Sequence, residues 1–106
     1  MSNDVLDRLA ATIKARRTAA AEESYTRRLL DKAPIKPAQK LGEEATEVVI
    51  AALVQDNPAL VSETADLLYH LLVVLESRGV TLEEVYGELE RRMIEADQKM
   101  RKAASA

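Results

Sequence analysis

The sequence predicts an all-α fold, and three observations carry that expectation. The 106 residues include three tyrosines but no phenylalanine or tryptophan. A core must therefore come from Leu, Val, Ile and Ala, which suit helix packed on helix. Three glycines and three prolines supply little turn chemistry for a multi-stranded sheet. Through most of the chain the apolar residues recur at three- and four-residue spacing, the period of an amphipathic helix. The expected architecture is a bundle of four main antiparallel helices plus a short one. It forms a single domain over residues 1–106, with frayed ends near 1–3 and 103–106.

The first helix is expected over residues 4–21, capped by Asp4, with Val5, Leu6, Leu9 and Ile13 along one side. A short helical piece follows in SYTRRLLDK, residues 24–32, before the APIKP turn breaks the chain with two prolines. The next helix is expected to begin near Pro37, whose missing N–H is harmless at a first helical position, and to reach about Gln55. Leu41, Ala45, Val48, Val49 and Ala52 make its apolar side. In DNP, residues 56–58, Asn57 reads as a cap and Pro58 as the next first position. That helix runs to about Arg78 on Leu60, Thr64, Leu67, Leu71, Val74 and Leu75, and Gly79 ends it. Thr81 and Glu84 form a capping box for a last helix to Lys102, whose apolar side is Leu82, Val85, Leu89, Met93, Ala96 and Met100. Loops this short set sequential helices antiparallel.

Composition excludes several function classes. The net charge is -3, so no basic face for general nucleic-acid binding is expected; the Arg16–Arg17 pair is too short to make one. With no cysteine there is no disulfide, thiolate zinc site or cysteine nucleophile, which fits a reducing compartment. The amino terminus has no continuous apolar segment of the signal-peptide kind. The longest apolar run, LLYHLLVVL, is short of a membrane span. A cytoplasmic protein without membrane partners is the expectation.

The acids are harder to explain. At about 100° per residue, Glu44 falls on the margin of the apolar side of the Pro37 helix, with Glu47 one turn on. On the following helix Glu63 lies between Leu60 and Leu67, and Asp66 and His70 share its edge. Antiparallel neighbours would bring Glu44, Glu47, Glu63 and Asp66 together. Each poorly solvated carboxylate costs roughly several kcal/mol unless it is compensated. Either Lys and Arg neighbours repair that, or a divalent cation does. An all-oxygen ligand set suits Mg²⁺, with Mn²⁺ also accommodated, over zinc or copper. A di-iron carboxylate site needs two Glu-x-x-His motifs, whereas this chain has one histidine, in Asp-x-x-x-His.

EEATE followed by ETAD resembles the EExxE…ExxD signature of the all-α nucleoside-triphosphate pyrophosphatase (MazG-like) superfamily. SYTRRLL at 24–30, KPAQKLGEEATEVVIAAL at 36–53 and ETADLLYHLLVVL at 63–75 together resemble its phosphoribosyl-ATP pyrophosphatase branch, over roughly residues 5–95. The resemblance implies Mg²⁺-dependent hydrolysis of phosphoribosyl-ATP at the α–β phosphoanhydride, in histidine biosynthesis, by a homodimer or larger homo-oligomer. It assigns metal binding to Glu44, Glu47, Glu63 and Asp66, and makes Glu43, Glu44 and Glu47 the catalytic candidates. Ala33 departs from a glycine common in this branch, which bears on the loop and not on the chemistry.

Phosphate binding would fall to Lys36 and Lys40, one and two turns before Glu44, and to Lys32 upstream. The plainer alternative is that these lysines pair with Glu43, Glu44 and Glu47, Lys36 more readily than Lys40. Tyr25 borders the nucleotide by resemblance only. His70 reads as a hydrogen-bonded core residue or as a contact behind one of the acids, and Tyr69 as packing or interface. Arg27, Arg28 and the charges of the last helix read as solvated surface. Two other functions compete with the main reading: a MazG-type pyrophosphatase for another nucleoside triphosphate, and a non-catalytic helical dimerisation module.

Overall fold

The computed structural model describes residues 5–105; Asp4, the expected first cap, lies outside them. The described residues form helices α1 (Val5–Ala15), α2 (Tyr25–Asp31), α3 (Ile35–Val54), α4 (Asn57–Ser77) and α5 (Leu82–Ser105), without a strand. The all-α expectation holds.

The first helix is shorter than its pattern implied. It ends at Ala15, and two 3₁₀ turns, Arg16–Thr18 and Ala21–Glu23, lead into α2. The run TAAAEE offers no apolar side to bury, and arginines bind the carbonyls that a helix would have used. Arg27 Nη1 donates to the Ala19 carbonyl and Arg28 Nη1 to that of Ala21, both at 2.7 Å. Arg17 pairs with the carboxylate of Glu76 and also donates to its carbonyl, tying this corner to the end of α4. These arginines are therefore not idle surface. Ser24 caps α2 by accepting from the Arg27 N–H at 3.1 Å.

Helix α3 begins at Ile35, with Pro34 at its cap, rather than at Pro37. Pro37 is tolerated because first-turn N–H groups have no intrahelical partner, and its ring is buried. Helix α4 is capped by Asp56, not Asn57: Asp56 Oδ1 accepts from the Ala59 N–H at 3.0 Å. Gly79 stops α4 with φ of 71°, the left-handed conformation that a side chain resists. The capping box of α5 is present. Glu84 Oε2 accepts from the Thr81 N–H at 2.8 Å, and Thr81 Oγ1 accepts from the Glu84 N–H at 3.2 Å.

Ile13, Leu29, Leu72 and Val73 form the buried core, with Leu6, Leu9, Leu30, Tyr69, Leu75 and Leu82 packed around it. Val5 and Leu71, expected inside, are exposed. The burial pattern on α4 changes along its length because α3 covers one side and α1 and α2 another. Leu72 and Val73 belong to the core, and His70 is buried on the same helix. Among the described residues nothing packs on the outer side of α3, so Val49 and Ala52 are exposed and Leu53 is 77% exposed. Ala51 is buried instead.

Helix α5 departs most from the expected bundle. Leu82 joins the core and the Tyr86 hydroxyl donates to Asp7 Oδ1 at 3.3 Å, but no residue of α5 is buried. It continues to Ser105, past the expected end, with Met100 72% exposed. Its Glu88 is held by Arg91 and Arg92, whose hydrogen bonds and charge lower its carboxyl to about 2. Helix α4 is long and apolar enough by length and composition to cross a membrane, a property that the nine-residue run concealed. Glu63, Asp66 and His70 lie in its middle, and α3 packs along it, which is the behaviour of a core helix.

Candidate metal centre

Two local features place the acids. On α4, Glu63 and Asp66 are three residues apart and so project from neighbouring positions of one face. The tight Gln55–Asp56 connection then folds α3 back along α4. Glu44 and Asp66 stand the same number of residues before and after Gln55, so antiparallel packing sets them at matching heights. The structure brings Glu44, Glu63 and Asp66 together, each offering a carboxylate oxygen within 4.8 Å of the others. Glu44 and Glu63 are half-buried and Asp66 is exposed. None of the three makes an ion pair among the described residues.

Burial pushes the Glu63 carboxyl above the usual carboxylate range, and the charges of Glu47, Asp66 and Glu44 push it further. Glu47 is therefore in electrostatic reach of Glu63, but it is exposed and outside the group of three. The fourfold cluster expected from the spacing is thus a threefold one with Glu47 beside it. One helical turn separates Glu44 from Glu47; Glu47 stands as far before Gln55 as Glu63 stands after it, and its charge acts on Glu63 more strongly than those of Asp66 and Glu44.

Glu43 is engaged elsewhere. Gln39 Nε2 donates to Glu43 Oε2 at 3.1 Å, and Lys40 Nζ lies 3.2 Å from Glu43 Oε1. Those two hydrogen bonds, then the lysine charge, hold its carboxyl below the usual range. A carboxylate so stabilised is a poor proton acceptor. The Glu43 contact in turn raises the Lys40 ammonium, aided by Tyr25 and Glu44 nearby. Pairing thus falls on Lys40, where the sequence favoured Lys36. Lys36 reaches Glu43 through its charge alone, and Lys32 is exposed at the end of α2.

Behind the acids is a small aromatic cluster. His70, 6% exposed, has Nδ1 at 2.8 Å from the Asp66 backbone carbonyl. Its contact with that acid is thus through the main chain, not the carboxylate. Nε2 lies 3.3 Å from the Tyr25 hydroxyl. Tyr69 packs edge-on against His70 with ring centres 4.9 Å apart, stacks on Tyr25 at 6.4 Å, and shares a hydrogen bond with Thr26. Tyr69 is accordingly an internal packing residue. Gln39 and Thr26 drew no attention in the sequence; the only signal for this cluster was the adjacency in SYT and in YH.

The three acids fit a hard divalent cation. Their donors are all oxygen, and among the described residues no cationic side chain forms an ion pair with them. Burial of Glu63 makes its negative charge unfavourable in the absence of a cation.

That imbalance has a consequence for stability. A carboxyl whose folded-state pKa is raised contributes stability below its usual value of 4.5, and loses it as pH rises through the raised value. In chelator, Glu63→Gln is therefore expected to melt at or above the wild-type temperature at neutral pH. The advantage should shrink as pH falls towards 4.5. Thermal melts of both proteins from pH 4.5 to 7.5 measure it, and a variant that is uniformly less stable would contradict the assigned strain.

Comparison with known proteins gives a consistent picture. The family model described as Phosphoribosyl-ATP pyrophosphohydrolase matches residues 6–93. Phosphoribosyl-ATP pyrophosphatase 1 of Rhodopseudomonas palustris is 54% identical over 92 residues, covering 87% of this chain and 86% of that protein. The phosphoribosyl-ATP pyrophosphatases of Methylobacterium nodulans and Cereibacter sphaeroides are 58% and 56% identical. Those matches cover 82% and 83% of this chain, and 78% and 85% of theirs. With that match spanning all three acids and most of the helical frame, the chain belongs to the phosphoribosyl-ATP pyrophosphohydrolase family.

Proposed function

We propose that the chain hydrolyses phosphoribosyl-ATP to phosphoribosyl-AMP and pyrophosphate in histidine biosynthesis, with Glu44, Glu63 and Asp66 holding Mg²⁺. Mn²⁺ suits the same oxygen donors. The observation that carries this reading is the uncompensated triad of carboxylates, within 4.8 Å of one another, in a chain of this family. When bound, the cation supplies Lewis-acid stabilisation of charge on the phosphate oxygens and on the attacking water.

The chain's own residues do the rest. Glu44 comes from α3 and the other two acids from α4, so the helix pairing itself fixes their spacing. Lys40, with Lys36 and Lys32 along the same approach, gives positive charge for the phosphates. Lysine binds them as a point charge without a fixed geometry. In hydrolysis a water oxygen bonds to phosphorus as the bond to the bridging oxygen breaks, and the water loses a proton. Glu47 is the proposed acceptor of that proton. It stands beside the triad without belonging to it and is open to solvent. Glu43 is the weaker candidate because Gln39 and Lys40 already stabilise its charge.

A homodimer or larger homo-oligomer is also proposed. Leu53, Val54 and Val61 are mostly exposed around the α3–α4 connection, and Leu89, Met93 and Ile94 are exposed on α5. A lone 106-residue chain rarely leaves so much apolar surface in water. We place the enzyme in the cytoplasm, as the cysteine-free composition suggests.

Wild-type protein is expected to release pyrophosphate from phosphoribosyl-ATP in a Mg²⁺-dependent manner, while ATP and dCTP are left intact. Turnover of those controls would assign the chain to a broader pyrophosphatase activity. Glu44→Gln and Asp66→Asn should each lower kcat/KM by about a thousandfold, or about 4 kcal/mol of transition-state stabilisation. Glu47→Gln should lower kcat while the Mg²⁺ dependence keeps its midpoint; a shifted midpoint would make Glu47 a ligand instead. Sedimentation velocity at micromolar concentration should return a dimer or larger species, and a monomer would refute the assembly.

A further inference from the structure

The Tyr25–His70 contact has a polarity that the fold dictates. His70 Nδ1 faces the Asp66 backbone carbonyl at 2.8 Å. A carbonyl only accepts, so Nδ1 carries the proton. In the neutral ring Nε2 is then bare and acts as an acceptor. The group 3.3 Å from it is the Tyr25 hydroxyl, so Tyr25 donates its one proton inward. The lone pairs of its phenolic oxygen then remain for a further partner, to which it can act as an acceptor only.

The ring that carries this oxygen is held on two sides. Tyr69 stacks on it at 6.4 Å and His70 meets it edge-on at 6.1 Å. The Tyr25 side chain is nevertheless 45% exposed. Lys40, one turn before Glu44, lies in its electrostatic reach. Tyr25 is thus joined through His70 to the turn that presents Asp66, with its proton already committed to the protein.

We propose that His70 is a positioning residue that orients the Tyr25 hydroxyl as an acceptor for a hydroxyl or amino group on the nucleoside part of the substrate. An oxygen without a proton to give opposes phosphate oxygens, which also only accept. The phosphates are left to the cation and lysine side of the site. Tyr25 therefore sorts the two ends of the ligand, and it does so through a histidine that never touches it. This assignment rests on the proposed activity, since it names which part of that substrate Tyr25 meets.

The test uses Tyr25→Phe and two substitutions of His70 that separate its two ring nitrogens. His70→Asn keeps a donor for the Asp66 carbonyl, but its amide oxygen is too short a reach to replace Nε2 as the acceptor for Tyr25. Gln is long enough to restore an acceptor near the Nε2 position. Binding of phosphoribosyl-AMP is measured by calorimetry in chelator, together with KM and kcat on phosphoribosyl-ATP with Mg²⁺. Tyr25→Phe and His70→Asn should each weaken phosphoribosyl-AMP binding by about 5- to 10-fold, the usual worth of one neutral hydrogen bond. KM should rise in step and kcat should move less. The double variant should be no worse than either single one, and His70→Gln should recover most of the loss.

Tyr25→Phe binding phosphoribosyl-AMP as the wild type does would overturn the proposal. So would additive losses in the double variant, or a fall in kcat with KM unchanged. Tyr25 is exposed enough for Phe to fold normally, so that variant decides the matter even where a position-70 variant does not fold. Failure of the proposed activity itself would be distinct: wild-type protein would then release no pyrophosphate.

Discussion

The antiparallel packing of α3 on α4 is the constraint on which the rest of the molecule depends. The connection between them is two residues long, and Asp56 caps α4 within it. So short a turn leaves little freedom in the relative height of the two helices. Glu44 must then lie opposite Glu63 and Asp66, and the carboxylate triad follows from helix register rather than from any loop. Sites on helices are held more rigidly than sites on loops, which suits chemistry that works mainly by placing charge.

The same packing explains why the acids remain unpaired. A lysine on the triad itself would stabilise the empty protein and compete with the cation. Here the nearby ammonium of Lys40 is drawn to Glu43 instead, leaving Glu44, Glu63 and Asp66 without an ion pair among the described residues. Glu63 carries the largest share of that strain, because it is partly buried and has three acids around it. Local instability and cation binding are two aspects of one arrangement. The aromatic cluster supports it from behind: His70 bonds to the carbonyl of the very turn that presents Asp66.

Much of this was legible in the sequence, and the exceptions have physical causes. Helix type and the Gly79 stop follow from period and backbone preference, and the Thr81–Glu84 box from a motif with its own hydrogen bonds. The convergence of Glu44 with Glu63 and Asp66 could be read because two adjacent amphipathic helices with a short loop have few ways to pack. A helical wheel groups Glu47 with them, and its charge does reach Glu63, but which carboxylate oxygens meet depends on side-chain rotamers that a wheel does not carry. The extended path after α1 is not legible in the sequence because arginines of a later helix help to hold it, through the carbonyls of Ala19 and Ala21. Periodicity puts Leu71 and Val49 inside because it describes a single apolar stripe, whereas α4 serves two neighbours and α3 has an open side. Nor did the periodicity of α5 reveal that its apolar face would stand free of the core.

Divalent-cation binding by one site built from both helices is the central claim, and Mn²⁺ binding followed by electron paramagnetic resonance tests it most directly. One saturable site is expected, displaced by excess Mg²⁺, and lost alike when Glu44 of α3 or Asp66 of α4 becomes its amide. Binding that survives either change, or no saturable binding even with pyrophosphate present, would show that the acids do not share a cation.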